Sequence, residues 1–355
     1  MGYKLLTINP GSTSTKIAVY EDEKEVFKEN IKHSSYEISK YKNIFEQRYF
    51  RAEIILKVLR DRSVNVDEMD AIVGRGGILR PMPGGTYSIN DKMLNDLKEG
   101  ARGEHAANLG AIIANKLAKS IHKPAFIVDP VGVDEMDEIA RVSGIPELNR
   151  KSIFHALNQK AVAKRYAREN FKKYEDVNVI VAHMGGGVSI GAHRKGKVVD
   201  VNNTIDGDGP FSPERSGGVP VGDLVRMCFS GKYKMEEVLK KATGKGGFVA
   251  YLDTNDARVV EKAALEGDPK AKLIHNAMGY QVAKEIGAAA AVLNGEVDAI
   301  ILTGGMAYGK PMVNFISKMV KFIAPIVVYP GEDEMLALAQ GAIRVLNGEE
   351  QALEY

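Results

Sequence analysis

The chain has 355 residues, 45% of them apolar and 26% charged, a balance that excludes a disordered polypeptide and suffices for two domain cores. A formal net charge of +2 lacks the basic excess of a nucleic-acid binder, so no nucleic-acid partner is expected, and the lysines between 160 and 173 read as solvated helix faces. No apolar run approaches the roughly 20 residues of a membrane span, and no basic-then-apolar leader precedes the first strand pattern. Cys228 is the only cysteine, which precludes an intramolecular disulfide, makes the cytoplasm the expected location, and, within the apolar run 225–229, suggests core packing.

Strand-like runs at 4–9, 16–20 and 26–31 follow one another closely, as in an antiparallel meander. Helical periodicity follows at 45–61, 91–99 and 104–120, with short buried strands expected at 71–73 and 125–128. The order then restarts: an apolar strand at 177–183, the turn "MGGG", and strands at 188–193 and 197–201. Laid over each other without a gap, "INPGSTSTKIAVY" and "AHMGGGVSIGAHR" place Asn9 on His183, Gly11 on Gly185 and Ala18 on Ala192. Two such hairpins half a chain apart mark a duplicated domain. A helix at 269–293, a strand at 299–302, the glycines Gly304 and Gly305, a strand at 326–329 and a last helix at 334–346 complete the pattern. These alternating elements predict an α/β fold.

The named phosphate motifs are absent. "GGMAYGKP" (304–311) has the spacing of a P-loop but ends in Pro311, which has no hydroxyl for magnesium. No G-x-G-x-x-G opens a helix after a strand, and the seven histidines offer no short metal pair. Asp206 and Asp208 form only a partial calcium loop and read as part of a catalytic-loop turn. The first hairpin turn is more informative. Gly11, Ser12, Thr13, Ser14 and Thr15 can aim backbone N–H groups and hydroxyls at one point, with Lys16 adjacent, which makes a cradle for an anion. The second turn, Gly185, Gly186 and Gly187, lets a bulky anion reach the backbone closely. Two cradles suit a polyphosphate.

The words "INPGSTSTK" (8–16), "GRGGILRPMPGG" (74–85), "IFHALNQKAVA" (153–163), "VAHMGGGVSIGAH" (181–193), "DGDGPFSPERSGGVPVGDL" (206–224) and "ILTGGMAYG" (301–309) span the chain. With the duplicated hairpins, they resemble the acetate kinase branch of the superfamily that also holds sugar kinases, actin and the heat-shock ATPases, and within it the butyrate kinases. The resemblance implies a duplicated two-domain actin-like ATPase (ribonuclease H-like) fold with an interdomain active-site cleft. One domain is expected at 1–147, completed by the C-terminal helix within 333–355, and a second, nucleotide-binding domain at 148–332. It implies transfer of the γ-phosphoryl group of ATP to a short-chain fatty acid, giving an acyl phosphate and ADP, reversibly, and a homo-oligomer.

Residue by residue, the resemblance assigns Arg75, His155 and His183 to the active site, with Arg215 as the nearest substitute for a second arginine that the family places just before a Gly-Asp pair. Asn9, Gly11, Ser12, Thr13, Ser14 and Lys16 match the first phosphate turn, Gly185, Gly186 and Gly187 the second, and Gly304, Gly305 and Met306 the nucleoside turn. Mg2+ is the implied cofactor, with Asp129 and a glutamate before the last helix as its carboxylates. Glu334 fits that position best, with Glu332 and Asp333 as neighbours. Acetate kinases carry two valines after the active-site arginine. Here Gly76 and Gly77 stand there, and the freed volume is expected to admit a longer acid, each buried CH2 adding about 0.8 kcal/mol. Two other readings remain open: a non-catalytic nucleotide sensor, and a sugar kinase with Asp129 or Asp206 as base.

Overall fold

The computed structural model describes residues 2–100, 103 and 105–355. Residue 104, where the expected helix 104–120 begins, lies outside them, and the helix is observed as Asn108–Ser120. The chain divides into two compact units, Met1–Val133 with Asp333–Tyr355, and Asp134–Glu332. The division falls after residue 133 where the sequence reading placed it after 147, because the intervening acids bond into the second unit. Glu135 pairs with Lys160 and accepts from the Val198 N–H, and the Asp137 N–H donates to the Val199 carbonyl.

In the first unit β1 (Lys4–Pro10), β2 (Ser14–Glu21) and β3 (Lys24–Lys32) form the expected antiparallel meander. β4 (Ala71–Arg75), the edge strand β5 (Thr86–Ser88) and β6 (Ala125–Val128) extend the sheet to the order β3-β2-β1-β4-β6-β5. The β1, β4 and β6 strands are parallel and therefore need crossovers, supplied by α1 (Arg48–Asp61), α2 (Asp91–Glu99) and α3 (Asn108–Ser120). Ile55 and Leu59 of α1 and Leu109, Ile113 and Leu117 of α3 pack on Leu6, Ile8, Val19 and Ile72. α3 reaches β4 through a pair of glycines. A Cβ on Gly74 would stand 2.3 Å from the Gly110 carbonyl oxygen, and one on Gly110 would stand 2.3 Å from that of Arg75. The C-terminal helix Glu334–Leu346 lies against β1, β4 and β6 of the same sheet.

The second unit repeats the pattern. β7 (Asn178–Met184), β8 (Val188–Arg194) and β9 (Lys197–Val201) are antiparallel, and β10 (Ala299–Gly304) and β11 (Ile326–Pro330) add in parallel, in the order β11-β10-β7-β8-β9. Apart from β5, both sheets share strand order and sense, as a duplication requires. The gapless overlay of the hairpins needs a correction, however. Thr7 pairs with Ala18 in the first, whereas Val181, its counterpart, pairs with Gly191 in the second. The glycine turn is one residue shorter, so Ala18 corresponds to Gly191.

The helices of this unit are α4 (Ala156–Glu169), α5 (Val221–Cys228), α6 (Met235–Ala242), α7 (Ala257–Leu265), α8 (Pro269–Val292) and α9 (Lys310–Val320), besides shorter turns. β7 is buried along its whole length because both faces are covered. Ile180 and Ala182 meet Met278, Val282 and Ile286 of α8, while Val179 and Val181 meet Val162 and Ala163 of α4. Two expectations are overturned here. Lys160 is buried on α4, paired with Glu135 at 2.9 Å, so that helix face is not solvated throughout. Cys228 is exposed, because its apolar run forms α5, which buries no side chain. Among the described residues no helix is long and apolar enough to cross a membrane.

Candidate active site

In the first unit the chain turns between Pro10 and Thr15, with the Gly11 N–H donating to the Ser14 carbonyl at 2.7 Å. Ser12 and Thr13 are exposed, and Gly11 and Ser14 partly so. Lys16 is exposed and registers opposite Asn9, so both side chains lie on one face of the sheet. Asn9 Nδ2 donates to Glu334 Oε2 at 2.8 Å, and Arg75 Nη1 binds Glu334 Oε1. The unit thus joins Asn9, Arg75 and Glu334, each from a different element. Asp129, just beyond β6, is buried with φ of 39°. It exchanges two bonds with Gly85, whose N–H reaches Oδ1 at 2.7 Å and whose carbonyl accepts from the Asp129 N–H at 2.9 Å.

The turn rests on a group that residue type concealed. Arg51 of α1 is 1% exposed. Its Nη1 donates to the carbonyls of Gly11 and Ser14 at 2.8 and 3.0 Å, and its Nη2 to that of Ser12 at 3.1 Å. Thr15 Oγ1 and Gln47 Oε1 take its remaining bonds. All these acceptors are neutral, and burial lowers the guanidinium pKa to about 10, so a cation remains beneath the turn at neutral pH.

Packing occupies the volume expected beside Gly76 and Gly77. A Cβ on Gly76 would stand 2.4 Å from Pro130 Cβ, and one on Gly77 would stand 2.3 Å from Asn108 Oδ1 and 2.6 Å from Asn108 Cα. The volume that larger side chains would need is filled by the protein itself. The glycines admit Pro130 and Asn108, so no acyl-sized space opens at their Cα atoms.

In the second unit His155 precedes α4 and His183 lies near the end of β7, with their rings stacked at 3.7 Å and 13°. His183 Nδ1 bonds Asn158 Oδ1 at 2.7 Å. Its Nε2 has Glu332 Oε1 3.1 Å away but not in hydrogen-bond alignment. The turn Gly185, Gly186 and Gly187 is closed by the Gly185 N–H on the Gly187 carbonyl at 2.9 Å. A Cβ on Gly187 would stand 2.3 Å from Arg215 Nη1 and 3.2 Å from His155 Cε1, so the absence of a side chain lets both groups close on the turn. Arg215 Nη1 also donates to the Thr204 carbonyl at 2.7 Å, and burial pushes the guanidinium pKa below its ordinary value. Within this unit His155, His183, Arg215 and the glycine turn are therefore brought together.

Beside them a pocket of about 730 Å3 is bounded by Gly185, Gly186, Gly305 and Met306. Gly304, with φ of 87°, does not line it but makes the bend: a Cβ there would stand 2.4 Å from the Met184 carbonyl oxygen. The near-P-loop stretch leads into α9, with Pro311 in the first helical turn. The far wall was not foreseen. It includes Asn255, Asp256, Arg258, Glu261, His275 and Tyr308. The Arg258 guanidinium grips Asp256 with two bonds, of 2.9 and 2.6 Å, and holds its carboxyl at about 2. "NDAR" before a helix reads only as a cap signal, which explains the omission. Asp206 and Asp208 bond Asn203 and shape their loop. Among the described residues no cluster of three or more His, Cys, Asp or Glu forms a metal cage.

The model of the acetokinase family matches residues 144–323. The chain is 67% identical to butyrate kinase 2 of Clostridium acetobutylicum over 355 residues, covering 100% of both chains. It is 62% identical to butyrate kinase 1 of that organism over 353 residues, covering 99% of each. In three dimensions it resembles acetate kinase of Porphyromonas gingivalis, with a TM-score of 0.81 at 21% identity, over 97% of this chain and 100% of that one.

Proposed function

The chain belongs to the acetokinase family and is a carboxylate kinase, and we propose that its acid is butyrate or a branched acid of four or five carbons. The γ-phosphoryl group of ATP passes to a carboxylate oxygen, giving an acyl phosphate and ADP, and the reaction runs in both directions. A carboxylate is ionised at neutral pH, so the nucleophile needs no general base. The protein must instead place it in line and spread positive charge around the transferring group. The observation that carries the reading is the convergence of Arg215 and His155 on the side-chain-free turn at Gly187, beside the 730 Å3 pocket.

In this reading the pocket holds the nucleoside, and Gly185, Gly186 and Gly187 receive its phosphates. Arg215 and His155 donate to the phosphoryl group in transfer, with His183 supporting His155 by stacking. In the first unit, Ser12, Thr13 and Lys16 border a second anion cradle, and Glu334 and Asn9 set Arg75. The length of the acid rests on kinship with the two butyrate kinases, since Gly76 and Gly77 open no space for it. Magnesium bound to a nucleotide keeps most ligands from phosphate and water and needs only one or two carboxylates. Asp129, whose Oδ1 is held by the Gly85 N–H, would be such a carboxylate, whereas both oxygens of Glu334 are engaged by Asn9 and Arg75, so Glu334 would hold the ion through water; the ion would supply positive charge to the phosphates. The cytoplasm, where ATP is made available, is the location we assign.

Hydroxylamine trapping tests the activity. With ATP, magnesium and butyrate the protein should yield butyryl hydroxamate, and His155→Ala should lower kcat by roughly 100-fold to 1,000-fold, the usual cost of one transition-state donor. No acid-dependent product, or phosphorylation of a hexose in its place, would sink the assignment.

We assign the expected homo-oligomer a contact through α5 and α6. Val221, Val225 and Phe229, four residues apart, are 66%, 49% and 87% exposed, and Met235 and Leu239 on α6 are 70% and 59% exposed. Large apolar side chains left exposed at this spacing on two helices favour burial against a partner. The same helices carry both signs of charge, Asp223 and Arg226 on α5 and Glu236 and Lys240 on α6, which suits a contact between two copies of one chain. In sedimentation the protein should run as a dimer or larger, and Phe229→Glu with Leu239→Glu should reduce it to a monomer. A monomeric parent protein would end this assignment.

A further inference from the structure

Behind His155 lies a buried row of polar groups for which the phosphoryl-transfer reading supplies no role. His155 Nδ1 is 2.8 Å from Ser189 Oγ. Gln159 Nε2 is 2.8 Å from the same Oγ and 3.0 Å from the Ser189 carbonyl. Gln159 Oε1 is 3.0 Å from His193 Nε2, and His193 Nδ1 is 2.7 Å from the Tyr174 hydroxyl. Ser189, Gln159 and His193 are each 0% exposed. A Cβ on Gly191 would stand 2.3 Å from Gln159 Oε1 and 3.1 Å from His193 Nε2, so the link between them passes over a residue without a side chain.

The direction of the central links in the row follows from one group that has no choice. The Ser189 carbonyl can only accept, so the amide nitrogen of Gln159 must face it. That nitrogen's second hydrogen then goes to Ser189 Oγ. The Gln159 oxygen, on the other side, must receive the Nε2–H of His193. Burial, and secondarily Lys160, keep the pKa of His193 well below its ordinary value, so the ring is neutral and its Nδ1 accepts from the Tyr174 hydroxyl. At the other end Ser189 Oγ accepts from Gln159, and giving its own hydrogen to His155 Nδ1, 2.8 Å away, is the arrangement that pairs this buried hydroxyl hydrogen with an acceptor. With Nδ1 accepting, a neutral His155 carries its hydrogen on Nε2.

We infer that Tyr174, His193, Gln159 and Ser189 form a one-way hydrogen-bond chain that fixes His155 in the Nε2–H tautomer, so that the ring meets the transferring phosphoryl group as a donor. The inference rests on the proposed role of His155. Ser189 and its partners are positioning residues, since none is assigned contact with substrate. The opposite tautomer would turn a lone pair toward anionic oxygens, which repels where the reaction needs attraction.

Nitrogen NMR on protein labelled at histidine reads the tautomer directly, with His155 assigned by the signals lost in His155→Asn. The parent protein should show His155 as the Nε2–H form, and Ser189→Ala, which removes one oxygen from a strand interior, should yield a mixture. In the same variant kcat should fall on the order of 10-fold to 100-fold, as on removing a group that orients a functional side chain, with KM for ATP within about twofold of the parent value. Gln159→Leu breaks the row one link further back and should shift the tautomer in the same direction, which guards against a folding defect peculiar to one variant. An Nδ1–H form in the parent, or an unchanged tautomer in both variants, overturns the inference. If the parent has the Nε2–H form and Ser189→Ala disturbs it, but no acid is phosphorylated, the chain is supported and the functional reading alone fails.

Discussion

Arg51→Met should lower stability by about 3–5 kcal/mol, because it removes charged hydrogen bonds to the part-buried carbonyls of Gly11, Ser12 and Ser14, of about 1.5–3 kcal/mol each before offsets, and strands the buried Gln47 Oε1. Part of that loss is offset, since the variant no longer desolvates a cation. The functional loss should be separable. Arg51 holds the three carbonyls on the helix side of the turn, and a turn released from them no longer presents the same N–H groups and hydroxyls. Arg51 also keeps a positive charge beneath the proposed phosphate site, with only neutral acceptors around it, and the variant loses that charge. KM for ATP should rise roughly tenfold, equivalent to about 1.4 kcal/mol, in protein kept below its melting temperature. Arg51→Lys keeps the charge but replaces a planar fork with a point donor. It should recover less stability than affinity. Thermal melting and initial rates at several ATP concentrations check both parts. An Arg51→Met protein that melts within a degree of the parent with the same KM would refute the role.

Much of the framework was legible because it depends on local pattern. The meander of 4–31, the second hairpin, the glycine-ended strands and the long helices announce themselves through period-2 and period-3.6 repeats. The duplication was legible too, though the overlay slipped by one residue beyond the second turn, since spacing alone cannot show that Gly185–Gly187 closes a shorter loop. The three-residue β5 had no such pattern. Its place is set from a distance, by pairing with β6 and by bonds between Ser88, Thr86 and Leu353 near the chain's end. Charged residues misled in the other direction. Arg51 and Lys160 carry the side chains most often found in water, and their burial depends on Gln47 and the turn carbonyls in one case and Glu135 in the other. The unforeseen wall of the pocket, Asp256, Arg258 and His275, comes from helices whose proximity to the glycine turns is a tertiary fact.

Gly77→Val should destabilise the first unit without redirecting the enzyme toward acetate. If Gly76 and Gly77 were vacated space, a valine at position 77 would shorten the acyl pocket. The packing demands another outcome. A Cβ at position 77 meets Asn108 Oδ1 at 2.3 Å and Asn108 Cα at 2.6 Å. The Oδ1 atom accepts from the Ile78 N–H at 2.9 Å, and Asn108 Nδ2 donates to the Gly103 carbonyl at 3.1 Å. The side chain could rotate away only by abandoning both bonds, and the Cα, anchored in α3, could retreat only with the helix. Overpacking of this kind costs about 1–3 kcal/mol, and the displaced amide adds a further loss of about 1 kcal/mol or more. Gly77→Ala should show most of this cost, since the collision begins at Cβ, whereas a pocket-lining position would respond in proportion to the methyl groups added. Asn108→Ala should be costly by itself but should soften the effect of Gly77→Val, giving a coupling of the kind expected between touching residues. Melting temperatures of the two singles and the double measure that coupling, and paired rates with acetate and butyrate measure selectivity. A Gly77→Val protein as stable as the parent, with its preference moved to acetate, would restore the vacated-space argument and refute the packing one.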